Sequence, residues 1–298
     1  MAVSIPFRRE ISFEYGVLEP ITPLIRRIVA NNPGPFTYKG TGTYVVGHGK
    51  VAIIDPGPLM EEHVDALLGA LKGETVTHIM VTHTHHDHSP AAALVKARTG
   101  AKTYGYGPHG EGFDAGSGSG ADRDFVPDVT LRDNDTVEGP GWRLEALHTP
   151  GHCSNHLSFI LPEEQALFSG DHVMGWSTSV VTPPDGDMRD YMTSLDKVLA
   201  RDDAIYWPTH GPSVIDPKPH VKAFITHRHE RTDSIVDFLK GVRDASPDEI
   251  VLGVYQGLDP KLRPAAARSV MAHLVALAAE GKIASEGVAT LTSRYHLR

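Results

Sequence analysis

The strand-like run Ile79-Met80-Val81-Thr82 leads directly into His83-Thr84-His85-His86-Asp87-His88. A strand that ends in a tight turn brings these side chains into one small volume. Imidazole nitrogens beside a carboxylate are the donor set that Zn²⁺ or Fe²⁺ takes. A polar surface turn or a tag-like histidine run is the competing explanation, but a tag would be terminal and would have no strand in front of it. Three later segments repeat the pattern of a donor at a strand end beside a turn residue: Thr149-Pro150-Gly151-His152, Phe168-Ser169-Gly170-Asp171 and Trp207-Pro208-Thr209-His210-Gly211-Pro212. Taken alone, each would be an ordinary loop histidine or turn aspartate. Four donors at matching strand ends predict an open metal site of the kind α/β sheets build at their edges.

Other residues near these motifs carry weaker signals. Asp55, in Ile53-Ile54-Asp55-Pro56-Gly57, reads equally as a partner that orients a metal-bound histidine and as a plain Asp-Pro-Gly turn. His86 is expected to face solvent, His148 to be a satisfied strand histidine, and Cys153 to be a small buried residue rather than a nucleophile. Trp176, Ser177, Thr178 and Ser179 follow Asp171 and are candidates for lining a substrate pocket. Ser117 and Ser119 lie in linker-like Gly-Ser sequence, a poor setting for a catalytic serine. His227, Arg228 and Arg231 share a helix spacing that could reach an anionic substrate, although a solvated face with Glu230 and Asp233 explains them more simply.

The elements that must position these residues read as two similar β-rich halves. Ser12–Leu18, Leu24–Ala30, Thr43–Val46, Val51–Asp55 and Val76–Thr82 are expected strands, with helices over Leu59–Leu71 and Pro90–Arg98. Residues 105–121 carry seven glycines and predict a mobile surface loop. Trp142–His148, His156–Leu161, Ala166–Phe168 and Ala204–Trp207 then read as strands, with a helix over Met188–Ala200. The alternation predicts an α/β four-layer αββα sandwich. After Pro217 the strands stop. Lys218–Val242, Pro247–Tyr255 and Pro264–Glu280 read as helices and Lys282–His296 as a hairpin, a helical, winged-helix-like module. The expected division is 1–216 for a catalytic domain and 217–298 for that module. Phe224, Ile225, Ile235, Phe238 and Leu239 need a partner surface, most simply the sandwich, and Pro217 starts the long helix within ten residues of His210. The module should therefore wall one side of the site, with dimerisation as the alternative.

Composition narrows the setting. The chain has 298 residues, 40% hydrophobic and 22% charged, as in an ordinary folded protein, and no run of ~20 apolar residues that would span a membrane. The N-terminus lacks the apolar core of an export signal, and one cysteine excludes a disulfide framework, so a cytoplasmic enzyme is expected. There are 18 histidines, and the net charge is -9. Residues 213–298 carry 12 Lys and Arg against 10 Asp and Glu, so the charge there is +2 and the remainder is -11. Such an acidic body makes a poor general nucleic-acid binder, and bound cations would offset part of its charge.

Across residues 10–215 the chain resembles the metallo-beta-lactamase-fold hydrolases. Within them it is most similar to the group containing beta-lactamase-like protein 2. The motifs above carry the first likeness. Asn32-Pro33-Gly34-Pro35-Phe36-Thr37, Gly40-Thr41-Gly42-Thr43-Tyr44, Thr209-His210-Gly211-Pro212, His227-Arg228-His229-Glu230-Arg231 and the tail carry the second. The resemblance implies two divalent ions per chain, zinc first, with iron or manganese as alternatives. It makes His83, His85 and His152 ligands of one ion and Asp87, His88 and His210 ligands of the other, with Asp171 bridging. It also implies hydrolysis of an ester-type bond (thioester, lactone or phosphodiester) by hydroxide held between the metals, with Asp87 orienting the nucleophile and moving its proton. The alternatives are a single-stranded RNA endonuclease, a true beta-lactamase, an iron-dependent oxygenase and a metal-stabilised binding protein. The expected partners are a small-molecule or single-stranded nucleic-acid substrate, with no membrane, and a second copy as a homodimer.

Overall fold

A computed structural model describes residues 3–110, 120–285, 287 and 289–298. The first sheet has seven strands in chain order: β1 (Glu19–Pro20), β2 (Ile25–Val29), β3 (Gly42–Val46), β4 (Lys50–Ile54), β5 (Thr75–Met80), β6 (Lys102–Gly105) and β7 (Val129–Thr130). Strands β1 to β4 pair antiparallel. From β4 onward the pairing is parallel, with α1 (Glu61–Ala70) and α2 (Ala91–Thr99) as the first crossovers. The second sheet orders β12-β11-β10-β9-β8, built from β8 (Thr136–Gly139), β9 (Trp142–His148), β10 (Leu157–Leu161), β11 (Ala166–Gly170) and β12 (Ile205–Pro208). Helix α3 (Met188–Leu199) crosses from β11 to the parallel β12.

The period-two pleat explains the layers. In β3 and β4, Tyr44, Val46, Ala52 and Ile54 face the second sheet, where they meet Trp142, Phe159 and Phe168. Their alternate neighbours Val45, Val51 and Ile53 face Val64 and Leu67 of α1 and Val95 of α2. In the second sheet Leu157, Phe159 and Leu161 point inward, whereas Ile160 and Leu167 meet Tyr191, Leu195 and Val198 of α3. Strands that are apolar on both faces belong between two other layers. The αββα order follows.

The C-terminal elements are α4 (Pro217–Lys240), α5 (Pro247–Val254), α6 (Arg263–Ala279) and the antiparallel pair β13 (Ile283–Ser285) and β14 (Tyr295–Leu297). Ser246 and Glu249 form a capping box at the start of α5. Helix α4 divides its apolar residues between two cores. Val221 and Phe224 pack on the sandwich beside α3, together with Ala272 and Ala276 of α6. Ile235 and Leu239 instead join Ile250, Val270, Leu274 and Tyr295 in a core of the C-terminal elements alone. The expectation that the whole face rests on the sandwich therefore holds for the first half of α4 only.

Other expectations also change. Ser12–Leu18 is not a strand, because among the described residues the only ladder at this edge is the two-residue pairing of Glu19 and Pro20 with β2. Phe13 packs edge-on against Tyr15 instead. The three short strands β6, β7 and β8 were not expected. Gly105, placed in the loop by sequence, ends β6. Residues 111–119, including Ser117 and Ser119, lie outside the described residues. Among the described residues no helix is long and apolar enough to cross a membrane.

Candidate metal centre

The candidate donors sit where the two sheets meet at one end. Leu157 N–H donates to Thr82 O (2.7 Å), Gly42 N–H to Thr209 O (2.8 Å), and Tyr44 Oη to Pro208 O (2.7 Å). These bonds fasten the turn after β5 to the start of β10, and the end of β12 to β3. Gly170 closes the gap: its φ is +52°, and a Cβ there would meet His156 Nε2 at 2.5 Å. Only glycine allows β11 to deliver Asp171 this close to its neighbours.

All seven candidate ligands come together. His83 Nε2 lies 2.9 Å from His85 Nδ1, which lies 3.1 Å from His152 Nε2. Nitrogens bound tetrahedrally to one ion would be about 3.3 Å apart, so the spacing suits a shared cation. Burial first, and the crowd of imidazoles second, holds His83 well below its ordinary value. Burial and His152 do the same for His85. Both rings are therefore neutral and present lone pairs.

The second cluster is Asp87, His88 and His210, with Asp171 between the two. His210 Nε2 is 3.0 Å from Asp87 Oδ2 and 3.5 Å from Asp171 Oδ1, and His88 Nε2 is 3.6 Å from both Asp87 Oδ2 and Asp171 Oδ2. Asp171 Oδ2 is also 3.7 Å from His152 Nε2. Burial alone would lower His88 and His210, but the surrounding carboxylates hold both above the ordinary imidazole value. Burial likewise opposes ionisation of Asp87 and Asp171, yet the facing histidines hold both carboxyls far below their usual range. His88 Nε2, His210 Nε2 and Asp171 Oδ1 are buried and make no aligned hydrogen bond despite these close neighbours. Buried imidazole nitrogens and a carboxylate oxygen without an aligned hydrogen bond, set beside two ionised carboxylates, are a donor set that divalent cations satisfy.

The far side of most rings is fixed. His88 Nδ1 donates to Asp55 Oδ2 (2.9 Å), His152 Nδ1 to Val180 O (2.5 Å) and His210 Nδ1 to Gly40 O (3.2 Å). His85 Nε2 lies 3.2 Å from Cys153 Sγ. Each bond turns the opposite nitrogen toward the centre. Asp55 is fully buried and does more than cap a turn. Its Oδ1 accepts from Thr82 N (2.7 Å), and its Oδ2 accepts from the hydroxyls of Thr82 (2.8 Å) and Thr209 (2.9 Å) as well as from His88. One carboxylate thus joins both sheets to a candidate ligand. Of the two sequence readings of Asp55, the geometry matches the orienting one.

The remaining candidates fall as follows. Trp176, Ser177 and Ser179 all line a pocket of about 470 Å³ that opens onto His85, Asp87, His152 and Asp171. Trp176 stacks on Tyr38 with ring centres 4.7 Å apart. The Ser179 hydroxyl donates to His172 O (2.7 Å), so its hydrogen is committed to the wall and only its acceptor side is left for a substrate. His86 is exposed, and His148 is satisfied by Ser154 O (3.0 Å) and stacks on Tyr106. Cys153 is buried, and burial pushes its thiol well up. Arg228 departs from the solvated-face reading: it is 4% exposed and lines the pocket with Ala265, Arg268 and Ser269 of α6. The C-terminal helices thus wall the mouth, as Pro217 after His210 implied.

Sequence reasoning missed His156. Its Nε2 accepts from Asp171 N (3.2 Å) while its Nδ1 donates to Thr149 Oγ1 (2.9 Å), so it fixes the backbone of the central aspartate. It also missed Thr82 and Thr209. The available signal was a threonine directly before a histidine at two strand ends.

The chain matches the model of the metallo-beta-lactamase superfamily over residues 39–210 and that of the beta-lactamase associated winged helix domain over 246–289. It is 31% identical to a beta-lactamase-like protein 2 homolog of Drosophila melanogaster, over 88% of this chain and 90% of that one. It is 31% identical to an atrochrysone carboxyl ACP thioesterase of Claviceps purpurea, over 79% and 71%. The crystal structure of a metallo-beta-lactamase family protein from Thermus thermophilus superposes with a TM-score of 0.74 at 23% identity, covering 93% of this chain and 99% of that one.

Proposed function

Because the chain belongs to the metallo-beta-lactamase superfamily, whose members include hydrolases, we propose that it hydrolyses an ester-type bond with two divalent ions, zinc first. The observation that supports this reading is the convergence of seven donors with His88 Nε2, His210 Nε2 and Asp171 Oδ1 buried and without an aligned hydrogen bond. In this reading His83, His85 and His152 hold one ion, Asp87, His88 and His210 the other, and Asp171 stands between them. When bound, the ions supply Lewis acidity, which favours hydroxide at neutral pH and polarises a substrate oxygen.

The protein's own groups do the rest. Asp87 is held ionised by His88 and His210 against its burial, and it lines the pocket. Its ionised oxygens can therefore accept a hydrogen bond from the attacking water and orient it, and the low proton affinity of the carboxyl suits passing a proton on rather than holding it. Asp55, Val180 O and Gly40 O hold the imidazoles in place, so little reorganisation accompanies the charge that develops during attack. Phe36, Met174, Trp176, Val180 and Val181 give the pocket an apolar wall that suits an acyl chain.

Among ester-type bonds that wall favours thioesters, and the Claviceps relative named as a thioesterase agrees with this. Single-stranded RNA cleavage is the second reading, and the -11 body weighs against it. The test is a panel of thioester, lactone, p-nitrophenyl phosphodiester, nitrocefin and single-stranded RNA substrates with metal-loaded protein. Thioester turnover that is lost on chelation and restored by zinc is the expected result. Turnover of RNA alone would favour the endonuclease, and turnover of none would defeat the hydrolase reading.

A further inference from the structure

Among the described residues Arg228 is a buried cation without a carboxylate partner. It projects from α4, is 4% exposed, and lines the pocket that holds His152, Asp171 and Trp176. Its Nη2 donates to Ser179 O (2.5 Å), and the guanidinium lies 5.2 Å from the centre of the Tyr191 ring. Its Nε is buried and has no partner. No carboxylate among the described residues forms an ion pair with it. The Tyr191 and Ser179 hydroxyls donate to His172 O, and the Tyr191 hydroxyl also accepts from the Arg228 guanidinium, a neutral partner that leaves the charge uncompensated. The neighbour Glu230 accepts from Val3 N at the N-terminal segment.

The charges around Arg228 do not neutralise it. Arg231 follows one turn later with its guanidinium over the Tyr255 ring, and burial, then Arg228 and Arg231, holds His273 of α6 well below the ordinary imidazole value. Arg268 and Ser269 of α6 line the same pocket. Arg228 thus brings a buried positive charge to a pocket also lined by His85, Asp87, His152 and Asp171. A guanidinium taken out of water without a counter-ion is costly, and an aromatic face offsets only part of that. Its planar fork matches carboxylate and phosphate oxygens.

We propose that Arg228 forms an oxyanion subsite in the pocket wall, holding a carboxylate or phosphate that the substrate carries away from its scissile bond. The inference rests on the hydrolase reading and narrows it to anionic ester-type substrates. The competing explanation is that Arg228 only fastens α4 to the Ser179 segment.

The test measures binding by calorimetry on full-length, metal-loaded protein, using two matched pairs of non-hydrolysable thioethers. One pair differs only in a carboxylate or a methyl at the acyl-side end. The other differs only in a phosphate or a hydroxyl at the thiol-side end. The expected result is that one anionic member binds tenfold or more tightly than its neutral twin, which also identifies the anion. Arg228→Met should bring that ratio to about 1, and Arg228→Lys should leave part of it. No discrimination by the wild type in either pair, or a ratio that survives Arg228→Met, overturns the subsite. If Arg228→Met does not fold, Arg228→Lys decides, and an unchanged ratio overturns it as well. Turnover of the corresponding thioesters is scored separately. Discrimination without turnover of these or of any other substrate in the panel defeats the hydrolase reading alone, and turnover without discrimination defeats the subsite alone.

Discussion

Replacing Asp55 by asparagine keeps the shape of the side chain and removes its charge and one acceptor. The residue has φ +49°, which asparagine also tolerates, so the backbone is little disturbed. The four hydrogen bonds leave no good orientation for the amide. With the carbonyl oxygen at the Oδ2 position, the NH₂ group faces the Thr82 N–H, 2.7 Å away in the native structure. With the amide reversed, the NH₂ faces the Thr82 and Thr209 hydroxyls and His88 Nδ1. The first arrangement strands one buried backbone donor, at a cost of about 1–3 kcal/mol, and weakens charge-assisted bonds by about 1 kcal/mol more. The expected loss is about 3 kcal/mol, a large part of a stability of about 5–15 kcal/mol. The bond that orients His88 would lose its charge assistance, which predicts up to about tenfold weaker affinity for metal. Urea denaturation measures the first effect and competition against a chromogenic chelator the second. An Asp55→Asn protein within about 1 kcal/mol of wild type, with unchanged metal affinity, would refute the linking role.

Asp171→Ala removes the carboxylate between the two clusters. Metal content and hydrolysis should fall together, and a folded variant with full activity would rule out the two-ion arrangement. Asp87→Asn should act more on rate than on folding, lowering kcat by about 10²-fold or more, because the amide fills the same space but supplies neither charge nor a proton-accepting oxygen. A collapsed melting temperature with normal activity per folded molecule would argue for a structural role. Burial lowers His63 from 6.5 to about 4. Below about pH 6.5 the unfolded chain takes up a proton that folded His63 refuses, so stability contributed above that pH is lost as the pH falls toward 4. This amounts to about 3 kcal/mol. His63→Gln should therefore lose less stability than wild type between pH 7 and 4.5 in matched denaturation curves, and parallel losses would contradict the assignment.

The donors could be read from sequence because each follows a strand and precedes or contains a turn residue, a local signal that survives without knowledge of the pairing. Strands such as β9, with Trp142, Leu144 and Ala146 alternating against Arg143 and Glu145, were legible for the same reason. β7 was not, because two residues carry no period and are fixed only by pairing with β6. Ser12–Leu18 misled in the opposite way: Phe13, Tyr15 and Val17 alternate like a strand, but no neighbouring strand among the described residues is available to pair with them. Arg228 sits on a helix whose sequence is dense in charge. Only the docking of α4 against Ser179 and Tyr191 shows that this charge is buried. His156 was similarly hidden, since its role depends on β10 lying beside the end of β11.

The most direct test of the central claim is a crystal structure of the zinc-loaded protein with anomalous data collected above and below the zinc edge. Two zinc peaks about 3.5–4 Å apart are expected. One should be bonded to His83, His85 and His152 and the other to Asp87, His88 and His210, with Asp171 reaching both. A single peak, or two peaks held by other residues, would contradict that claim.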